Sequence, residues 1–148
     1  MRKRKWWILT AIAWMIAIFF FTQLPYFTGQ NTGQVIQKVV VTEQQAVSAT
    51  IAAPIDTNEL NLLVRKTTHV IVFGILAFLL FKSLEALRFS YVLARCLTVF
   101  YAITDEWHQS FMLGRVAAYQ DVLFDYFGAI TVLSIIYLIN KKKINVTN

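Results

Sequence analysis

Residues 6–24 read WWILTAIAWMIAIFFFTQL, a run without one charged side chain that ends at Pro25. At ~1.5 Å rise per residue such a helix nearly crosses the ~30 Å hydrocarbon core of a bilayer, which takes about 20 residues. The basic start before it, Arg2 to Lys5, looks like the opening of a secretory signal. The apolar run continues through bulky aromatics, however, and no small-residue cleavage site follows. It is read as an uncleaved anchor.

The rest of the chain agrees with lipid as solvent: 57% of the 148 residues are hydrophobic and 15% are charged, far from a soluble average. The formal charge of +6 does not indicate a nucleic-acid partner. Its basic residues sit at the ends of apolar runs and form no face interleaved with stacking aromatics. The single Cys96 permits neither an intramolecular disulfide nor a cysteine metal motif.

Outward from the anchor, Thr67–Leu87 and Phe89–Thr104 are apolar and joined around Lys82, Glu85 and Arg88, as in a tight helical hairpin. Val122–Ile139 is apolar apart from Asp125 and stops at Lys141, Lys142 and Lys143. The predicted fold is an all-α integral membrane bundle of four transmembrane helices. Residues 2–5, Lys82, Arg88, Arg95 and the terminal lysines fall on one side of such a bundle. Lys38, Arg65, Lys66 and Arg115 fall on the other, so ten basic residues face four. The excess predicts N-in, C-in orientation. Trp6, Trp7, Tyr91 and Tyr137 near the inner interface, and Tyr26, Trp107 and Tyr119 near the outer one, agree with it.

Three regions of one expected structural domain follow: an anchor over 1–24, an extracytoplasmic segment over 25–59, and a three-helix region over 60–148. In the second, Val35, Ile36, Val39, Val40, Val47 and Ile51 are spaced roughly as one helical face. A helix lying in the membrane interface and a simple loop both fit this segment.

Depth connects the spans to chemistry. Taking Arg88 and Lys141 as inner-boundary markers, roughly 20 helical residues reach the outer boundary near His69, Asp105 and Asp121, with Asp125 about one turn deeper. Three helices thus bring polar ends to one level. Arg65 and His69 share a helix face, as do Asp121 and Asp125, each pair at i,i+4; Lys66 stands beside the first. Asp105 and His108, at i,i+3, share a face that Glu106 leaves, and Gln109 follows. Gly128 permits close helix packing.

Several readings of this constellation stand side by side. An ion-paired outer cap would set Arg65, Lys66 and Arg115 against the acids, with Asp121 at a helix N-terminus and Arg65 or Arg115 the expected partner of Asp125. An acid/base site would use His69 or His108 as proton carrier, with Asp125 or Asp105 orienting it and arginines holding an anionic head group. A divalent metal would draw on His69, His108, Asp105, Glu106, Asp121 and Asp125. The D-x-x-H spacing occurs once and no H-E-x-x-H is present, so no cofactor is predicted. Ser110 lacks a nucleophile-elbow setting, while Glu85 and Arg95 are explained by local pairing and snorkelling.

The motifs Arg65-Lys66-x-x-His69-x-x-x-Phe73, Asp105-Glu106-x-His108-Gln109, Gly114-Arg115 and Asp121-Val122-x-x-Asp125-x-x-Gly128, in this order, resemble the VanZ-like family of small bacterial membrane proteins from Arg65 to the C-terminus. Two positions depart from that pattern: Val72 stands where the family commonly has a carboxylate, and Leu113 where it has proline. The resemblance implies a multi-pass bacterial plasma-membrane protein, linked in some members to resistance to glycopeptides of the teicoplanin type and to lipoglycopeptides. The expected role is binding of a membrane-lipid head group, a cell-wall precursor or the antibiotic by Arg65, Lys66, His69, Asp105, Glu106, His108, Gln109, Arg115, Asp121 and Asp125. An intramembrane enzyme using His69, His108, Asp105, Glu106 and Asp125 is the alternative, and a proton-coupled transporter ranks below both.

Overall fold

The computed structural model describes residues 2–23, 33–39, 57–111 and 119–147, and these are all-helical apart from turns. The elements are α1 (Arg2–Gln23), α2 (33–39), α3 (Thr57–Leu84), α4 (Ser90–Gln109) and α5 (Tyr119–Thr147). Among the described residues three helices are long and apolar enough to cross a membrane, over Lys3–Thr22, Asn58–Leu84 and Tyr119–Lys143. At 20 residues α4 matches the required length, but Arg95, Asp105 and Glu106 make it less apolar than the other three.

The helices exceed their apolar runs. α3 begins at Thr57 where the hydropathy pattern predicts Thr67, α4 reaches Gln109 where it predicts Thr104, and α5 spans Tyr119–Thr147 around the predicted Val122–Ile139. Backbone hydrogen bonding carries each helix beyond the hydrocarbon into polar surroundings, where side-chain polarity no longer opposes it. The predicted hairpin between α3 and α4 is present, and Lys82 Nζ donates to Glu85 Oε2 at 2.6 Å in its bend. Of the predicted interfacial segment, 33–39 is helical and includes Val35, Ile36 and Val39; Val40, Val47 and Ile51 lie outside the described residues.

Side-chain contacts fix the relative directions. α3 and α5 run parallel, because Arg65 meets Asp121 and His69 meets Asp125. α4 returns against them: Tyr91 at its start packs its ring, tilted by 38°, against Phe81 near the end of α3 and accepts a hydrogen bond from Asn140 Nδ2 of α5 at 3.0 Å. α1 is antiparallel to α3, with Arg4 Nε donating to the Ser83 carbonyl at 3.2 Å and Trp14 Nε1 to the Val72 carbonyl at 3.1 Å. Tyr101 of α4 donates through its hydroxyl to the Met15 carbonyl at 2.5 Å. Each bond satisfies a polar group that lipid could not.

Small residues set the closeness of the bundle. Ala77, Ala94, Ala102 and Ala129 are completely buried between helices, around Phe73, Leu76 and Phe81. At Gly128 a Cβ would lie 3.0 Å from Val70 Cα and nearer still to the Val70 carbonyl, so only glycine allows α5 this approach to α3. Large apolar side chains such as Leu9, Ile16, Phe20, Phe100, Phe127 and Leu138 point outward, the pattern of a bundle surrounded by lipid.

Candidate functional site

The polar residues of α3, α4 and α5 converge at one end of the bundle. The i,i+4 pair on α3 and the i,i+4 pair on α5 lie in register, 56 residues apart at both levels. Arg65 Nη2 donates to Asp121 Oδ2 at 2.7 Å, and one turn further in His69 Nδ1 lies 2.9 Å from Asp125 Oδ1. Asp125 is 1% exposed and Asp121 5%, whereas the Arg65 side chain is 41% exposed at the rim. Lys66 holds its ammonium 4.6 Å over the Phe124 ring, and the His69 ring lies parallel to that of Phe73.

The end of α4 divides its polar groups between two neighbours. Asp105 accepts from Thr22 Oγ1 of α1 at 3.3 Å and from Gln109 Nε2 at 2.7 Å, and His108 packs its ring 4.7 Å from that of Phe19. The shared face of Asp105 and His108 is therefore the one turned to α1. Glu106 is buried on the other side, where one carboxylate oxygen, a His69 ring nitrogen and an Asp121 carboxylate oxygen all lie within 4.8 Å of one another. The helical spacing that separates Glu106 from Asp105 holds, but both directions are interior because α4 is enclosed by α1 on one side and α3 and α5 on the other.

One pairing differs from the ion-paired cap and agrees with the acid/base arrangement. The partner of Asp125 is His69, with Arg65 committed to Asp121. His69 thereby has a carboxylate neighbour although Val72 supplies none; the Val72 backbone instead accepts from Trp14. The candidates brought together are Arg65, His69, Glu106, Asp121 and Asp125, with Asp105 and Gln109 adjoining on α4. His108 is held apart against Phe19. Arg115, together with Gly114, lies outside the described residues. Thr22 and Phe19 belong to the surroundings of the site without having been candidates. Counting along α1 from Arg4, which meets Ser83 at the opposite end of the bundle, puts Thr22 near the level of the site.

Chemically, Asp121, Asp125 and Glu106 are buried carboxylates gathered at Arg65 and His69, while the fourth buried acid, Asp105, is turned to α1 at the same end of the bundle. Ionisable groups at such depth face partners or cavities because lipid cannot solvate them. Asp125 Oδ2 is buried and has no hydrogen-bond partner among the described residues.

Fold and site together define an α-helical membrane protein with a polar centre buried between three helices. The chain belongs to the VanZ/LLP1 family, whose sequence model matches residues 7–140. The match extends well beyond the stretch from Arg65 onward in which the motifs are concentrated and takes in nearly all of α1. No curated protein and no solved structure matches the chain significantly.

Proposed function

We propose that this VanZ-type protein is a four-pass protein of the bacterial plasma membrane with both termini cytoplasmic. Its outer polar centre binds the anionic head group of a membrane lipid, a lipid-linked cell-wall precursor or a glycopeptide, and this binding contributes to tolerance of teicoplanin-type antibiotics. The antibiotic connection rests on family membership.

The directions of the helices support the four-pass reading. Two apolar helices that run parallel, α3 and α5, need a return across the same thickness between them, and α4 at about 30 Å has the length. The basic residues support the orientation, since Arg4 reaches the end of α3 beside Lys82 and Asn140 reaches the start of α4 beside Lys141. One end of the bundle thus gathers most of the lysine and arginine.

The observation that carries the binding role is Arg65. A guanidinium offers five donors, and one is used by Asp121 while the side chain remains 41% exposed at the rim of the centre. The ion pair holds a planar cation in place with donors left for phosphate or carboxylate oxygens. The test is affinity of purified protein in neutral-lipid nanodiscs for a polyprenyl pyrophosphate and for teicoplanin. Arg65→Ala lowers affinity for the true ligand about tenfold or more, the loss of a charge-assisted hydrogen bond. Affinity unchanged for both probes overturns the role.

The His69–Asp125 pair favours one second reading, an intramembrane acid/base enzyme in which Asp125 orients His69 beside Glu106. Full product formation by His69→Ala and Asp125→Ala membranes on a lipid-linked substrate would eliminate it.

A further inference from the structure

We propose that His69, Glu106 and Asp121 form a binding site for one divalent transition cation of the zinc type, with Asp125 as the residue that orients His69. This deepens the binding role above, because the cation would stand at the centre assigned to head-group recognition.

The donor atoms come from three different helices: α3 supplies the imidazole and α4 and α5 one carboxylate each, all within 4.8 Å of one another. Around zinc at about 2.0–2.2 Å, three ligands stand roughly 3–4 Å apart. The three side chains therefore close on an ion by about an ångström of movement, without rearranging the helices. Glu106 and Asp121 are buried and His69 is half-buried, so a cation here is shielded from bulk water.

Asp125 supplies the second argument. It meets His69 at Nδ1, 2.9 Å from Oδ1, which leaves Nε2 as the nitrogen that carries a ligand bond. A carboxylate behind the imidazole fixes the ring and raises its basicity, as in carboxylate–histidine–metal triads. The other oxygen of Asp125, Oδ2, is a buried acceptor with no hydrogen-bond partner among the described residues, in a residue 1% exposed. Three protein ligands leave zinc at least one further position for water, and a metal-bound water is a donor such an acceptor requires.

Charge points the same way. Glu106, Asp121 and Asp125 are buried carboxylates of the described residues near His69, and a dication relieves repulsion between carboxylates that it joins. Arg65 bonds Oδ2 of Asp121, and the carboxylate has a second oxygen to offer an ion. One nitrogen and two carboxylate oxygens suit zinc better than calcium or magnesium, which take all-oxygen shells of six or more.

The experiment uses full-length protein purified in detergent, stripped with chelator and titrated with zinc, magnesium or calcium chloride, with bound metal counted by mass spectrometry and affinity by calorimetry. Roughly one zinc per chain is expected, with magnesium and calcium bound at least tenfold more weakly. His69→Ala and Glu106→Gln abolish stoichiometric binding, and Asp125→Asn weakens it about 10–100-fold. His108→Ala, whose imidazole packs on Phe19, retains wild-type affinity. Circular dichroism confirms which variants are folded, and cobalt substitution reads coordination through its visible bands independently of any activity. Absence of stoichiometric zinc in the wild type, or equal binding by folded His69→Ala and wild type, overturns the site. Head-group affinity measured in chelator separates the two claims: if the wild type takes up no zinc in the titration and Arg65→Ala nevertheless weakens head-group binding in chelator, the cation site falls and the binding role stands.

Discussion

His69 on α3 and Asp125 on α5 meet at 2.9 Å one helical turn inside the Arg65–Asp121 ion pair, so two helices are joined at two successive levels in one register. The inner contact is the more enclosed, with side-chain exposures of 14% and 1% against 41% and 7%. Burial should separate the two pairs in what their loss does.

Asp125→Ala strips the buried imidazole of its carboxylate and costs about 1–3 kcal/mol, the usual loss when a buried polar group loses its partner. The double variant His69→Leu/Asp125→Leu recovers most of it, because two apolar side chains leave nothing to satisfy. Thermal unfolding in a fixed detergent checks both. A double variant no more stable than the single one would mean that the pair contributes more than mutual satisfaction.

Arg65→Ala behaves differently. Water can replace the exposed guanidinium only partly at Asp121, whose side chain is 7% exposed, so the loss of stability is about 1–2 kcal/mol while affinity for an anionic head group falls at least tenfold. Parallel unfolding and binding measurements on one preparation separate the two effects; a large stability loss with unchanged affinity would make Arg65 purely structural.

Gly128→Ala is expected to destabilise the bundle by about 1–3 kcal/mol, since the added methyl meets backbone of Val70 that cannot step aside. Gly74→Ala, whose methyl meets the Val132 side chain at 3.0 Å, costs less because that side chain can shift. Comparing their unfolding temperatures tests whether α3 and α5 are as close as described.

Topology is open to a direct assay. In a Cys96→Ala background, cysteines introduced at Lys38 and Gln120 label from outside intact cells with an impermeant maleimide, and those at Ser90 and Asn145 label only after permeabilisation. The reverse pattern would invert the orientation and set the polar centre on the cytoplasmic side.

Much of this was legible in the sequence, and the failures have physical causes. The uncharged run over 6–24 and the basic ends of the spans report solvent, which hydropathy reads well. Hydropathy places the helix ends too far inward because hydrogen bonding continues past the apolar boundary, as at Thr57 and Gln109. Charge alone matches Asp125 to Arg65 or Arg115, whereas the acid/base reading sets Asp125 or Asp105 beside a histidine. The register was nonetheless present in two equal i,i+4 spacings, Arg65/His69 and Asp121/Asp125, which in parallel helices pair first with first and second with second. Thr22 had no signal of its own, since one threonine at the end of an apolar helix is ordinary until α4 is packed against it.

The most direct test of the central claim is teicoplanin susceptibility in a deletion strain complemented with wild type, Arg65→Ala or Asp125→Asn, with membrane levels matched by immunoblot. Tolerance restored by wild type and by neither variant is the predicted result and ties the outer polar centre to envelope protection. Equal tolerance from all three, or no restoration by wild type, would contradict it.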